Sequence, residues 1–251
     1  MSFVILTAST MKKELEGAVY SGKCVTALDL SSNQLVRLVR NRLGAPIENP
    51  YCDRFKPLDV FDITLLEKCP IRCQTENVLS DYRNARFLGK YDGSPQELYQ
   101  RICQIGYGDH SFMHDSSYKL SDISSFKHSL EMIRVSDFKI TGKKCSFKTK
   151  YNRFVYVSIT DPQYAQEGEK ELLVGDAFLV ISIPTDDYNG KGYYKFVAAV
   201  FPINPWSREE DEELLYECRK GWTIQMMSLA HKRTEEEIRN RTSFLRENAH
   251  T

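Results

Sequence analysis

The densest positive charge in the chain lies between Arg134 and Arg153. Arg134, Lys139, Lys143, Lys144, Lys148, Lys150 and Arg153 share that segment with a single acid, Asp137. Rings interleave at Phe138, Phe147, Tyr151 and Phe154. Cations hold phosphate and rings stack on bases, so this mixture is the chemistry of a single-strand groove. Side chains alternate on a strand, so Lys148 and Lys150 are expected on one face and Phe147 and Tyr151 on the other, in the core. Arg37, Arg40 and Arg42 form a smaller basic set. A second constellation closes the chain: Arg233, Thr234, Arg239, Asn240 and Arg241. Arginine reads guanine or phosphate, and asparagine reads adenine. Arg239 and Arg241 are two residues apart, about 200° around a helix, so they cannot share one groove. Arg239 and Asn240 are expected on DNA, and Arg241 at the rim or paired with an acid such as Glu210.

Other chemistries are weaker. Cys69 and Cys73, with His110 and His114, have spacings that a Cys2His2 zinc site could use. The two pairs lie far apart in sequence, so they read as core thiols and surface histidines, and neither metal nor cofactor is expected. Asp186-Asp187 reads as a turn between strands. The chain has no phosphate-cradling glycine loop, no nucleophile elbow and no Asp-x-Glu-x-Lys element, which favours a binding protein over an enzyme.

Composition narrows the field. The 251 residues hold 34 Lys+Arg against 34 Asp+Glu, a formal net charge of zero. That excludes a polycationic tail but leaves room for local segregation of charge. No stretch approaches the roughly 20 apolar residues of a membrane span, and no basic leader precedes the short apolar start. Seven cysteines, an odd number, fit free thiols in a reducing compartment. A cytoplasmic protein without membrane contact is expected.

The elements that must position these residues fall in three zones, 1–103, 104–202 and 203–251. The first has apolar strand-like runs at Phe3–Leu6, Cys24–Leu28, Leu35–Arg40 and Val60–Ile63, with Gly22 as a turn between the first two and a helix over 95–103. In the second, strands are expected at Phe138–Ile140, Phe154–Ile159, Leu172–Val174, Ala177–Ile183 and Tyr194–Val200, with turns at Gly142, Asp161-Pro162, Gly175-Asp176 and Asn189-Gly190. The third reads as helices over 208–219, 223–231 and 235–247. Capping boxes start the first and last of these, Ser207 with Glu210 and Thr234 with Glu237. The expected fold is mainly β with an all-α C-terminal module.

Two resemblances sharpen this reading. Gly22-Lys23-Cys24-Val25-Thr26-Ala27-Leu28-Asp29, Lys56-Pro57-Leu58-Asp59-Val60-Phe61, Gln74-x-Glu76-Asn77 and Tyr194-Lys195-Phe196-Val197-Ala198 resemble the bacterial dual OB-containing domain family over about 1–200. Thr26-Ala27 and Phe196 depart slightly from its pattern. The resemblance implies two OB-like small barrels that bind nucleic acid or a nucleotide, in a bacterial setting of regulation or defence. The stretch 206–245, with Trp206, Leu214-Leu215, Gly221-x-Thr223 and Arg233-Thr234, looks like a Myb/SANT-like helix-turn-helix. It implies duplex DNA as a partner, beside single-stranded or modified nucleic acid on the barrels. Glu237, Ser228 and His231 depart from that family's usual residues, and the zone carries more acids than bases. Alternatives stay open: a protein-interaction adaptor docking through the acidic helix 208–219, or a nucleotide-sensing module. RNA stays open as a ligand.

Overall fold

The computed structural model describes residues 1–113, 117–165, 171–187 and 190–248. In the first zone, β1 (Ser2–Leu15) and β2 (Ala18–Asp29) form a long antiparallel hairpin. It turns at Glu16–Gly17, both with positive φ. Gly22 is not the turn; it lies inside β2. A Cβ there would stand 1.9 Å from the carbonyl oxygen of Ile47, because the chain at Ile47 bridges onto Lys23. The missing side chain admits a crossing strand of backbone.

β3 (Leu35–Val39) pairs antiparallel with β2, and β4 (Asp59–Asp62) with β1. β5 (Leu65–Lys68) pairs with β6 (Asn77–Ser80), β6 runs parallel to β3, and β7 (Arg86–Lys90) edges β4. The seven-stranded order is β5-β6-β3-β2-β1-β4-β7. Only Ile63 and Thr64 separate β4 from β5, so these are two halves of one bent strand. One half meets β1, the other β6, and the sheet curls back on itself.

After α1 (Pro95–Gln104) and the short β8 (Lys119–Leu120), a second barrel closes. Its strands are β9 (Leu130–Thr141), β10 (Lys144–Thr149), β11 (Phe154–Ile159), β12 (Glu171–Ser182) and β14 (Phe196–Pro202); β13 (Tyr193–Tyr194) pairs with β8 outside it. The order β10-β11-β14-β12-β9 has a single parallel pair, β11 with β14. Counted along the chain, the strands run 1-2-3-5-4 around each barrel, the Greek-key closure of an OB fold. Gly175-Asp176, expected as a turn between two strands, is instead an irregularity inside β12, where the register shifts on both sides of Gly175. Gly175 has a φ of +88°, which a glycine takes without strain.

Three apolar clusters hold the β part. One fills the first barrel around Phe3, Ile5, Val36 and Phe61; another fills the second around Ile133, Phe147, Leu179 and Ile181. The third belongs to both. Val4, Leu6, Leu28 and Leu35, from the outside of the first barrel, pack with Leu98 and Ile102 of α1 against Leu130, Met132, Phe178, Val180, Ala199 and Phe201 on the outside of the second. Alternation along each strand makes this possible, because both faces of β1, β9 and β12 are apolar.

The third zone forms α2 (Arg208–Arg219), α3 (Ile224–His231) and α4 (Glu235–Asn248) around Leu214, Met227 and Ile238. Both expected capping boxes form, at Ser207–Glu210 and Thr234–Glu237. Trp206 packs on this cluster with the Arg233 guanidinium 3.8 Å from its ring centroid. Trp206→Ala should remove about 3 kcal/mol or more from so small a core. A lower-melting transition of α2–α4, followed by circular dichroism while the barrels keep their melt, is the expected result.

Within the second barrel, Glu131 is 1% exposed and accepts the Met113 N–H. Burial pushes its carboxyl up to about 7 against the pull of that N–H; Asp109 adds to the rise and Lys195 opposes it. The folded chain therefore binds this proton more tightly than the unfolded chain, whose value is the ordinary 4.5. Glu131 stabilises the fold below about pH 4.5, and that contribution fades as pH rises to about 7, on the order of 3 kcal/mol in all. Urea midpoints across that window should fall with pH in the wild type and fall measurably less in Glu131→Gln. Identical slopes would refute this.

Candidate nucleic-acid interface

The site begins with an alternation. On β10, Cys145 and Phe147 point into the barrel, so Lys144, Ser146 and Lys148 point out; on β11, Val155 and Val157 point in, so Phe154, Tyr156 and Ser158 point out. The register makes three rungs of these outward residues: Lys144 opposite Ser158, Ser146 opposite Tyr156, and Lys148 opposite Phe154. Across β10, Lys139 of β9 stands opposite Ser146. Phe154 and Tyr156 are 50% and 68% exposed, their ring centroids 5.0 Å apart and edge-to-face. Lys144 Nζ donates to Ser158 Oγ at 2.8 Å. These are strands 2 and 3 of an OB barrel, the pair whose outer surface carries oligonucleotides in OB folds.

At one end of the face, Tyr118, Tyr194 and Phe196 join Lys144 and Tyr156 around a groove of about 590 Å³. Tyr118 and Tyr194 have ring centroids 6.1 Å apart. The carboxylate of Asp137 borders the other end. Its Oδ2 lies 2.7 Å from Lys148 Nζ, and its Oδ1 accepts from Asn240 Nδ2 at 3.0 Å. The bond to Asp137, aided by the nearby Glu236, holds the Lys148 ammonium above its ordinary value.

Among the described residues only one OB face is open in this way. Of the outward residues on β2 and β3 of the first barrel, Leu28 and Leu35 pack against the second barrel and Arg37 bonds to Ser129 and Ser182 there. Arg37 is 4% exposed, pairs with Glu76 at 3.2 Å and donates to Ser129 Oγ at 2.7 Å. It is therefore not the surface phosphate contact expected from its sequence neighbourhood. Arg40 does reach solvent, 3.5 Å from Glu48 and stacked over Tyr20. It stands apart from the β10–β11 face, and Arg42 is tied to Glu67 at 2.7 Å.

Among the other basic residues, Lys143 and Arg153 are exposed in the turns flanking β10. Lys150 lies past the end of β10 and so does not share the face with Lys148; its ammonium binds the carboxylate and carbonyl of Asp109. Tyr151 is 60% exposed rather than in the core, since it belongs to the same turn.

The helical residues are also redistributed. Arg233 is 6% exposed and spends its donors on Glu210 and on the carbonyls of Asn204 and Pro205. Arg241 is equally buried; it grips Asp211 at 2.6 and 2.7 Å and donates to the Leu173 carbonyl of β12. Asn240 faces Asp137 of the barrel, and Thr234 caps α4. The expectation that Arg233, Thr234 and Asn240 meet duplex DNA is corrected, since the first two serve the module itself and Asn240 faces the second barrel; Arg241 takes the acid-paired alternative, on Asp211 in place of Glu210. Arg239 remains in solvent, paired with Glu235 at 3.1 Å. The ion pair of Arg233 with Glu210 and the bond from Arg241 to the Leu173 carbonyl of β12 carried no signal in spacing alone.

Cys69 and Cys73 are buried thiols, His110 is exposed, and His114 lies outside the described residues. Among the described residues no cluster of His, Cys, Asp or Glu could hold a metal ion. No helix there is long and apolar enough to cross a membrane.

The sequence of residues 1–200 matches the family described as Dual OB-containing domain. The chain belongs to that family. The dual OB-containing match accounts for both barrels and ends before α2. No curated protein matches the chain. Among solved structures, a murine DNA binding protein bound with double-stranded DNA is similar at 10% identity and a TM-score of 0.29, over 81% of this chain and 98% of that one. So slight a likeness carries no argument about fold or ligand. Within the dual OB-containing frame, the β10–β11 face is the place where the second OB surface is exposed, basic and aromatic together.

Proposed function

We propose that this dual OB-containing protein binds single-stranded nucleic acid, without catalysis, across the outer face of β10 and β11. The observation that carries this is the pairing of exposed Phe154 and Tyr156 with Lys144 on the one OB strand 2–3 surface that the other barrel leaves uncovered. Rings on one strand give bases a stacking surface, and the neighbouring lysines track the phosphates. OB barrels commonly use this surface for strands whose bases are unpaired. Lys148 contributes less than its position suggests, because Asp137 already neutralises it.

Binding of a fluorescent oligothymidylate, measured by anisotropy at several salt concentrations, tests the proposal. Tyr156→Ala should weaken binding by about 1–3 kcal/mol at every salt concentration. Lys144→Ala should lower the salt slope by roughly one phosphate contact. An oligoribonucleotide of the same length tests for RNA. Unchanged affinity in a folded Tyr156→Ala protein would overturn the reading.

A second reading applies to the helical module alone. Tyr216, Trp222, Met226 and Leu229 are exposed by 59%, 39%, 47% and 76%, and the first turn of α2 is acidic. The exposed apolar side chains favour protein docking over duplex reading. Arg239→Ala should then leave affinity for duplex DNA unchanged, as measured by the same anisotropy assay. A loss of about 1 kcal/mol or more would restore a duplex-reading role for α4.

A further inference from the structure

The helical module divides its charge unevenly. Arg208, Arg233, Arg239 and Arg241 each have a carboxylate partner inside it. Arg219, Lys220 and Lys232 are exposed, and among the described residues no carboxylate lies within ion-pair distance of them. These three bracket α3. Arg219 and Lys220 close α2 just before it, and Lys232 follows its last residue, His231. Between Lys220 and Lys232 the chain has no acid, lysine or arginine.

α3 itself is apolar on two sides. Met227 and Ile224 pack into the core of the module with Leu214 and Ile238. Met226 and Leu229, three residues apart and so on one face of the helix, are exposed to solvent. Trp222, just before the helix, is exposed as well. Tyr216 is exposed near the end of α2, with the Lys220 ammonium 5.4 Å from its ring centroid. A surface helix with no task beyond covering its core carries charge on the outer side. Exposed apolar side chains with polar groups at their border are instead the pattern of a protein-binding face.

We propose that α3, together with Tyr216, docks an amphipathic helix of a partner protein whose apolar stripe is closed at both ends by Asp or Glu. The proposal rests on the docking reading of the helical module and is independent of the single-strand reading. Apolar side chains at i, i+3 and i+4 of the partner cover Met226 and Leu229. Its carboxylates meet Arg219 and Lys220 at one end of α3 and Lys232 at the other. α3 has eight residues and is about 12 Å long, so the partner's acids stand about two turns apart. A nucleic-acid strand fits this face poorly, because no cation stands between Lys220 and Lys232. A broad anionic membrane surface is opposed by the acids Glu209 to Glu213 that open α2. A single peptide helix need not reach them, since Glu209 lies about 15 Å along the axis from Arg219.

Random peptides of about 16 residues, roughly four helical turns, are displayed on phage and selected on the full chain. Enriched sequences are then synthesised with a fluorophore and titrated by anisotropy. They should carry apolar residues at i, i+3 and i+4 between acidic ends. Leu229 is exposed, so Leu229→Ser removes no core contact, and each variant is first shown to melt as the wild type does. Leu229→Ser should weaken the enriched peptides about tenfold or more. Lys220→Gln combined with Lys232→Gln should weaken them about three- to tenfold and flatten their dependence on salt. If the enriched peptides need Leu229 but are uncharged or basic, the acidic-partner proposal is overturned and the docking reading stands. If no enriched peptide responds to Leu229→Ser, both fall. Phosphatidylserine vesicles form the last arm. Vesicles that bind through Leu229, where no peptide does, assign the face to a membrane and likewise overturn both.

Discussion

Everything else in this molecule follows from the apolar seam between the barrels. Val4, Leu6, Leu28 and Leu35 on one side and Leu130, Met132, Phe178 and Val180 on the other are almost wholly buried. Each belongs to a strand that also faces its own barrel's interior, so the sheets are apolar on both surfaces and each must be covered twice. The seam uses strands 1, 2 and 3 of the first barrel but strands 1, 4 and 5 of the second. This asymmetry decides which OB surface is exposed. The first barrel's OB surface becomes packing, with Arg37 trapped at its border, while the second barrel's strands 2 and 3 stay in solvent. Similar sheets in a different docking would present a different ligand surface.

Electrostatics then distributes the charge that the chain as a whole cancels. Half of the ten acids in the helical module sit against its own arginines, among them Glu210 with Arg233 and Asp211 with Arg241. About half of the zone's acidity is thus internal wiring. What remains outside α2–α4 on the β10–β11 side is a mostly basic surface, tempered at one end by Asp137 and by the first turn of α4.

Much of this was legible in the residues. The aromatic and β-branched run Phe154–Ile159 identified β11, and the capping boxes fixed the starts of α2 and α4. The failures have physical causes. Gly22 and Gly175 are turn formers in sequence, but one makes room for backbone at Ile47 and the other absorbs an extra residue in a paired strand. β5 and β6 are short and three of the four residues of β5 are exposed, so their pattern is faint. Arginines in a helix look alike whether they await phosphate or have already found a carboxylate. Only the placement of Asp211, Glu210 and the Leu173 carbonyl separates the two cases. Tyr156, the most exposed ring of the face, was readable as part of a strand and not as part of a site, because Lys144, which lines the same groove, is distant in sequence and is brought near only by the pairing of β10 with β11.

The rungs of β10 and β11 also set a length. From Lys144 to Lys148 the strand advances four residues, roughly 13 Å. Beyond Lys148 the surface meets Asp137, Asn240 and the carboxylates that open α4. A polyanion laid along the hairpin therefore runs out of favourable ground after a short track, while the opposite end opens past Tyr194 without such a wall. On the proposed reading, the helical module is an end stop on the barrel and the described face is a one-ended slot with a direction of entry instead of a groove along which a long strand could slide.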